Sequence, residues 1–276
     1  MNYKPTPKIT NKQKEILSLI YSHRYLTRIH IQKLLKHKDK KTINIWLKDL
    51  RAKDYIKWIY DKNDFINKTK PAVYYLGING IRHLGNEDIH PDEELRKRYR
   101  EHTRSQTYID HRLLIADCVV DLENARSEEL SYYYETQADY MSDSYYHFLS
   151  ESELIRPDLC IAKMEYKPGE AETAISYILG VFDPTFPRYR LRNRLKKYVQ
   201  FIDEEVSEWE EAVEEPFPTV LFVCATLTDL IYAKRRTRGL LADVWGYEDE
   251  DRPSIMFATV DKLKQYGFTA GIWEEA

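Results

Sequence analysis

Between residues 10 and 78 the hydrophobic period changes once, and that change restricts what the amino-terminal third can become. Thr10-Asn11-Lys12-Gln13 has the spacing of a capping box, in which Thr accepts from the third helical amide and Gln reaches back. Ile16, Leu17 and Ile20 then recur at helical spacing until Ser22-His23-Arg24. Thr27 caps a second short segment with Ile31, Leu34 and Leu35, and a third starts near Asp39 and directs Ile43, Trp46, Leu47 and Leu50 inward. After that the period is that of strands. Residues 55–60 (YIKWIY) and 72–78 (AVYYLGI) are β-rich and flank a polar stretch over 61–70.

Three short helices followed by a hairpin with a long tip predict a winged helix-turn-helix over residues 1–90. In such a module the third helix enters a major groove and the wing follows an adjacent groove or the backbone. With Ile43, Leu47 and Leu50 inward, Lys41, Asn44, Ile45 and Lys48 lie on the opposite side of the third helix, with Lys40 and Thr42 in its first turn. An Asn amide matches adenine N6 and N7, and lysines reach guanine or phosphate. Lys62, Lys68 and Lys70 are the expected phosphate contacts of the wing. Charge agrees with this partner. Residues 1–90 hold 19 Lys and Arg against 8 Asp and Glu, a net +11, whereas residues 91–276 hold 23 against 37, a net −14. A basic head on an acidic body points to a polyanion as the partner of the head. The alternative is a solvated basic face on a dimerisation or protein-docking module.

Two units are expected for 276 residues. No apolar run reaches the roughly 18 residues of a membrane span, and the amino terminus lacks the apolar stretch of a signal peptide. A cytoplasmic protein without membrane contact is expected. Cys118, Cys160 and Cys224 are far apart and flanked by aliphatic residues, which predicts buried free thiols and no metal site. His23, His30 and His37, at sevenfold spacing, are expected on helix surfaces.

A charged connector is predicted over 91–107, as a linker or an exposed helix, and an α/β domain over 108–276. In this domain a helix fits Tyr108 to Leu122. Strands fit 131–136, 155–164, 174–182, 219–226 and 254–259, and helices fit 188–214 and 227–241. That order suits a mixed sheet with helices on its faces. Two basic clusters interrupt the acidic body. Arg188, Arg190, Arg192, Arg194, Lys196 and Lys197 are expected to fan over the exposed sides of the long helix while Leu191 and Leu195 face inward. Lys234, Arg235, Arg236 and Arg238 form a smaller group. Each is either a second nucleic-acid contact or counter-charge for the acidic segments nearby. The tyrosines at 132, 133, 134, 140, 145 and 146 read as strand residues on a half-buried surface or as stacking platforms for unpaired bases.

The order helix, three strands, helix, strand resembles the restriction-endonuclease-like core of PD-(D/E)xK nucleases, where carboxylates on adjacent strands hold a divalent metal and a lysine orients the attacking water. Arg156-Pro157-Asp158 supplies the Pro-Asp. The next strand reads AISYILGVFD over 174–183, with Gly180 where the acid should stand and no lysine after it. Glu165-Tyr166-Lys167 lies only seven residues past Asp158, in the expected hairpin turn. Asp158, Asp183 and Glu135 remain as a reduced carboxylate set, so the body is read as a non-catalytic relative without cofactor, and a metal-dependent nickase is the alternative. No GxxxxGK[ST], GxSxG or HExxH motif is present.

The opening TNKQKEILSLIYSHRYLTRIHIQKLL, the wing ending AVYYLGINGIRHLG, His111-Arg112-Leu113-Leu114, Arg156-Pro157-Asp158 and Lys196-Lys197-Tyr198 occur in the order of the replication-relaxation family, which the chain resembles over about residues 10–260. Those proteins are encoded on plasmids, integrative elements and phages of Gram-positive bacteria. The resemblance implies DNA binding in plasmid replication, maintenance or conjugative transfer. It also implies an acid at the place of Gly180, near an Asp matching Asp183, from which this chain departs. The resulting expectation is a sequence-specific double-stranded DNA-binding protein of a mobile element, as a homodimer or with other replication or transfer proteins. A factor that captures a host protein is the other alternative.

Overall fold

The computed structural model describes residues 5–60, 70–87, 90–141, 149, 152–166, 173–185, 187–213, 216–246 and 253–276. Lys62, Lys68, Tyr145, Tyr146 and Lys167 lie outside the described residues. The chain divides into two compact units. The first is Met1–Val120 with Met141–Asp143, and the second is Asp121–Tyr140 with Ser144–Ala276.

In the first unit, α1 (Asn11–His23), α2 (Arg28–Leu34) and α3 (Lys40–Ala52) alternate with β1 (Leu26–Thr27) and are followed by β2 (Ile56–Ile59) and β3 (Val73–Leu76). The sheet order is β1-β3-β2, antiparallel throughout, with Ile56 opposite Leu76 and Thr27 opposite Val73. This is a winged helix-turn-helix. Each helix starts where its cap demands. The Gln13 amide donates to Thr10 Oγ1 at 3.3 Å and the Thr10 amide returns to Gln13 Oε1 at 2.9 Å. Ile16, Leu17, Ile20, Ile43 and Leu50 are wholly buried, whereas Trp46 is only half-buried and meets the His37 ring edge-on at 5.1 Å.

Two expectations for this unit are corrected. His23 and His30 are buried, 4% and 7% exposed, not on helix surfaces. His30 sits third in α2, where its Nδ1 accepts from the Thr27 amide at 3.3 Å. That leaves the proton on Nε2, 2.9 Å from Asp117 Oδ1, and turns the ring inward. The charged stretch after α4 (Ile78–Asn86) is no exposed linker: α5 (Asp92–Arg98) buries Leu95 and Arg98. The Arg98 guanidinium lies 4.9 Å over the Tyr21 ring, Arg24 Nε donates to Glu101 Oε1 at 2.8 Å, and Tyr25 donates to the Glu101 carbonyl at 2.6 Å. Leu95, the enclosed side chain of Arg98 with its guanidinium over Tyr21, and buried Glu94 dock a helix whose composition reads as solvated. The division between the units falls later, within α6 (Gln106–Ala125).

The second unit comprises β4 (Leu130–Thr136), α7 (Gln137–Tyr140), β5 (Leu159–Glu165), β6 (Thr173–Val181), α8 (Arg188–Val213), β7 (Thr219–Cys224), α9 (Leu227–Trp245), β8 (Ile255–Thr259), α10 (Val260–Tyr266) and β9 (Glu274–Glu275). The strands form one mixed sheet in chain order, with β6, β7 and β8 parallel and the other pairings antiparallel. β7 reads TVLFVC, a nearly unbroken apolar run, as a parallel strand covered on both faces requires. Stepping from β6 to β7 to β8 in one direction with right-handed crossovers places α8 and α9 on the same face of the sheet. Tyr132 and Tyr140 are buried and Tyr133 is 51% exposed, so the tyrosines here are mainly packing residues. The three cysteines are buried free thiols, and among the described residues no helix is long and apolar enough to cross a membrane.

Candidate nucleic-acid interface and a filled acid site

Asp39 organises the start of α3. Its carboxylate accepts from the Lys41 amide at 2.8 Å, the Thr42 amide at 3.1 Å and the Thr42 hydroxyl at 2.6 Å. The Thr42 hydroxyl above all, and then the Lys41 amide, hold this carboxyl below the ordinary range. Thr42 is therefore engaged in capping the helix. With Ile43, Leu47 and Leu50 inside, Lys40, Lys41, Asn44, Ile45 and Lys48 are exposed, Ile45 by 65%.

Several other lysines of this unit are paired. Lys53 pairs with Asp49 at 2.8 Å, Lys57 with Asp54 at 2.6 Å and Lys14 with Glu87 at 2.9 Å. Lys40, Lys41, Lys48 and Lys70 have no carboxylate partner among the described residues, and Lys70 is exposed at the foot of β3. At the base of the wing the Arg51 guanidinium lies 3.2 Å over the Trp58 ring, tying α3 to β2. The residues expected on the reading face thus share one exposed surface. Their wing counterparts Lys62 and Lys68 are outside the described residues.

In the second unit the register puts Leu159 opposite Leu179, so Asp158 and Gly180 are cross-strand neighbours. Asp158 accepts from the Val181 amide at 2.8 Å. The same oxygen, Oδ2, is met by Arg194, whose Nη2 lies 3.3 Å away while Nη1 donates to the Val181 carbonyl at 2.8 Å. The guanidinium also lies over the rings of Phe182 and Tyr198, at 5.4 and 5.9 Å. A Cβ at Gly180 would stand 2.9 Å from Phe222 Cε1 and 3.3 Å from Arg194 Nη2. The glycine leaves the space that the guanidinium and the Phe222 ring occupy.

This overturns the expected place of Arg194 among the exposed arginines. Leu191, Arg194, Leu195 and Tyr198 fall at i, i+3, i+4 and i+7, so Arg194 lies on the stripe that α8 buries. Arg188, Arg190, Arg192, Lys196 and Lys197 are exposed as expected. The three acids do not gather either. Glu135 is buried and accepts from the Tyr133 hydroxyl at 2.5 Å, and Asp183 is half-buried. Among the described residues no group of three His, Cys, Asp or Glu is placed to hold a metal ion. Glu165, at the far end of β5 from Asp158, pairs with Lys163.

A family model described as replication-relaxation matches residues 17–213. No curated protein matches the chain. Among solved structures, a mutant of ZitR from Lactococcus lactis is 18% identical with a TM-score of 0.25, over 40% of this chain and 77% of that one. The adhesin competence repressor AdcR from Streptococcus pyogenes is 20% identical with a TM-score of 0.23, over 43% of this chain and 81% of that one.

Proposed function

We propose that this chain, which belongs to the replication-relaxation family, binds double-stranded DNA through α3 and the wing in the replication, maintenance or transfer of a mobile element. The observation that carries this is the outer face of α3. It brings Lys41, Asn44, Ile45 and Lys48 together in solvent, and among the described residues its lysines lack carboxylate partners while Lys53 and Lys57 of the same unit have them. Asn44 would read adenine, Ile45 would meet a thymine methyl, and the lysines would hold phosphate or guanine. In a homodimer two such helices would read half-sites about one helical turn apart.

The mixed-sheet unit serves as a non-catalytic body. Asp158 is engaged by a guanidinium at the place where a nuclease of this architecture would hold a cation, which supports that reading over the nickase. Supercoiled plasmid with Mg²⁺ or Mn²⁺ should stay intact, and nicking abolished by Asp158→Ala would restore the enzyme. Selection from a random duplex pool tests the reading face. The wild-type chain should enrich one motif, and Asn44→Ala should relax preference at one base pair within it. Unchanged preference in Asn44→Ala would remove α3 from sequence reading.

A further inference from the structure

The basic start of α8 and the basic middle of α9 are far apart in sequence and adjacent in space. Arg188 of α8 lies 5.4 Å over the Tyr232 ring of α9, and Arg236 lies over the same ring at 5.5 Å. Arg188, Arg190, Arg192, Lys196 and Lys197 are exposed on α8, and Arg235, Arg236 and Arg238 on α9. We infer that these two helices together form a second duplex-DNA contact, on the body, that holds the phosphate backbone without reading sequence. The inference rests on the proposed DNA-binding role and extends it to the second unit.

The alternative was counter-charge, and the geometry argues against it. Lys234 pairs with Glu274 at 3.1 Å and Arg194 with Asp158, whereas none of the exposed cations of α8 and α9 has a carboxylate partner among the described residues. The arrangement is costly to the fold. Like charges sit side by side on two packed helices of a unit whose sequence is otherwise acidic. Within α8 the charge also opposes the helix dipole: the first turn is basic and carries no acid, and the last turn carries no base. An external polyanion offsets both costs. Both guanidinium groups contact the half-buried Tyr232 ring, and these cation–π contacts restrain the two side chains before phosphate binds.

The test uses the full chain, a 40-base-pair duplex of arbitrary sequence and fluorescence anisotropy over a salt series. Two variants remove this surface, Arg188→Gln/Arg192→Gln/Arg236→Gln and, independently, Arg235→Gln/Arg236→Gln/Arg238→Gln. A third, Lys41→Ala/Lys48→Ala, alters α3. Thermal melts select the variants that keep the wild-type fold. Removing about three phosphate contacts should make the slope of log affinity against log salt shallower by about 2 to 3 and weaken binding about tenfold or more near 0.1 M salt. If a folded α8–α9 variant keeps the wild-type slope and affinity while Lys41→Ala/Lys48→Ala loses both, this inference is overturned and the α3 reading stands. If the wild-type chain does not bind duplex at all, both fall together.

Discussion

Replacing Arg194 by Met keeps an unbranched stem over Phe182 and Tyr198 and deletes only the charge and its donors. Lost with it are the 2.8 Å bond to the Val181 carbonyl, the 3.3 Å ion pair with Asp158 and the cation–π contacts with Phe182 and Tyr198. The Asp158 side chain is 9% exposed and that of Arg194 22%, so the pair is largely but not fully withdrawn from water. Breaking a buried pair from one side costs about 3 to 5 kcal/mol, mostly because the remaining charge stays desolvated. The residual exposure of Arg194 favours the lower end, about 3 kcal/mol. For a unit of this size that is a fall in melting temperature of roughly 6 to 12 °C. Circular dichroism melts of wild type, Arg194→Met, Asp158→Asn and the double variant measure it. Both single variants should be strongly destabilised, and the double variant should lose less than their sum, by about 1.5 kcal/mol or more. A shift below about 2 °C in Arg194→Met, or strict additivity, would refute the idea that the guanidinium stabilises the acid site.

Gly180→Ala tests the same site from the other strand. Its Cβ would meet Phe222 at 2.9 and 3.0 Å, so a loss of about 1 to 3 kcal/mol in a chemical denaturation series is expected, and a neutral result would mean that the ring moves aside freely. In the first unit, Asp39 is held below the ordinary carboxylate range by the Thr42 hydroxyl and Lys41 amide, and Asp49 by Lys53 and Gln13. A depressed folded pKa contributes stability that is complete above the unfolded value, about 3.9, and is lost as pH falls through the folded one. The stability difference between wild type and Asp39→Asn/Asp49→Asn should therefore be constant from pH 7 to about 5 and shrink below about 4. An unchanging difference down to pH 3 would mean these carboxylates are unperturbed.

Much of this architecture was legible because local signals agreed with one another. Thr10, Thr27 and Asp39 each open a helix where its cap is spelled out, and the switch to β-rich runs after Tyr55 marks the wing. The strands of the second unit stand within a few residues of their periodic segments. Three features were hidden, each for a physical reason. The charged segment after residue 90 docks through Leu95 and the fully buried side chain of Arg98, a face too small for a periodicity argument to register. His30 is buried by its role in a capping box, which surface spacing does not reveal. Arg194 is the instructive case, because the stripe through Leu191, Leu195 and Tyr198 already marked its position as inward. The expectation that arginines face water overrode the period. Once it is placed inside, Gly180 is explained by what occupies its side-chain volume. The union of the α8 and α9 clusters was also implicit, since successive right-handed crossovers put both helices on one face.

The most direct measurement is the salt dependence of duplex binding by the full chain, wild type against Lys41→Ala/Lys48→Ala. If the outer face of α3 and the wing neutralise about five phosphates and the α8–α9 surface about three more, log affinity should fall against log salt with a slope near −7, and the variant should be shallower by about 2. A flat dependence for the wild-type chain, or a variant that keeps the full slope, would contradict the account.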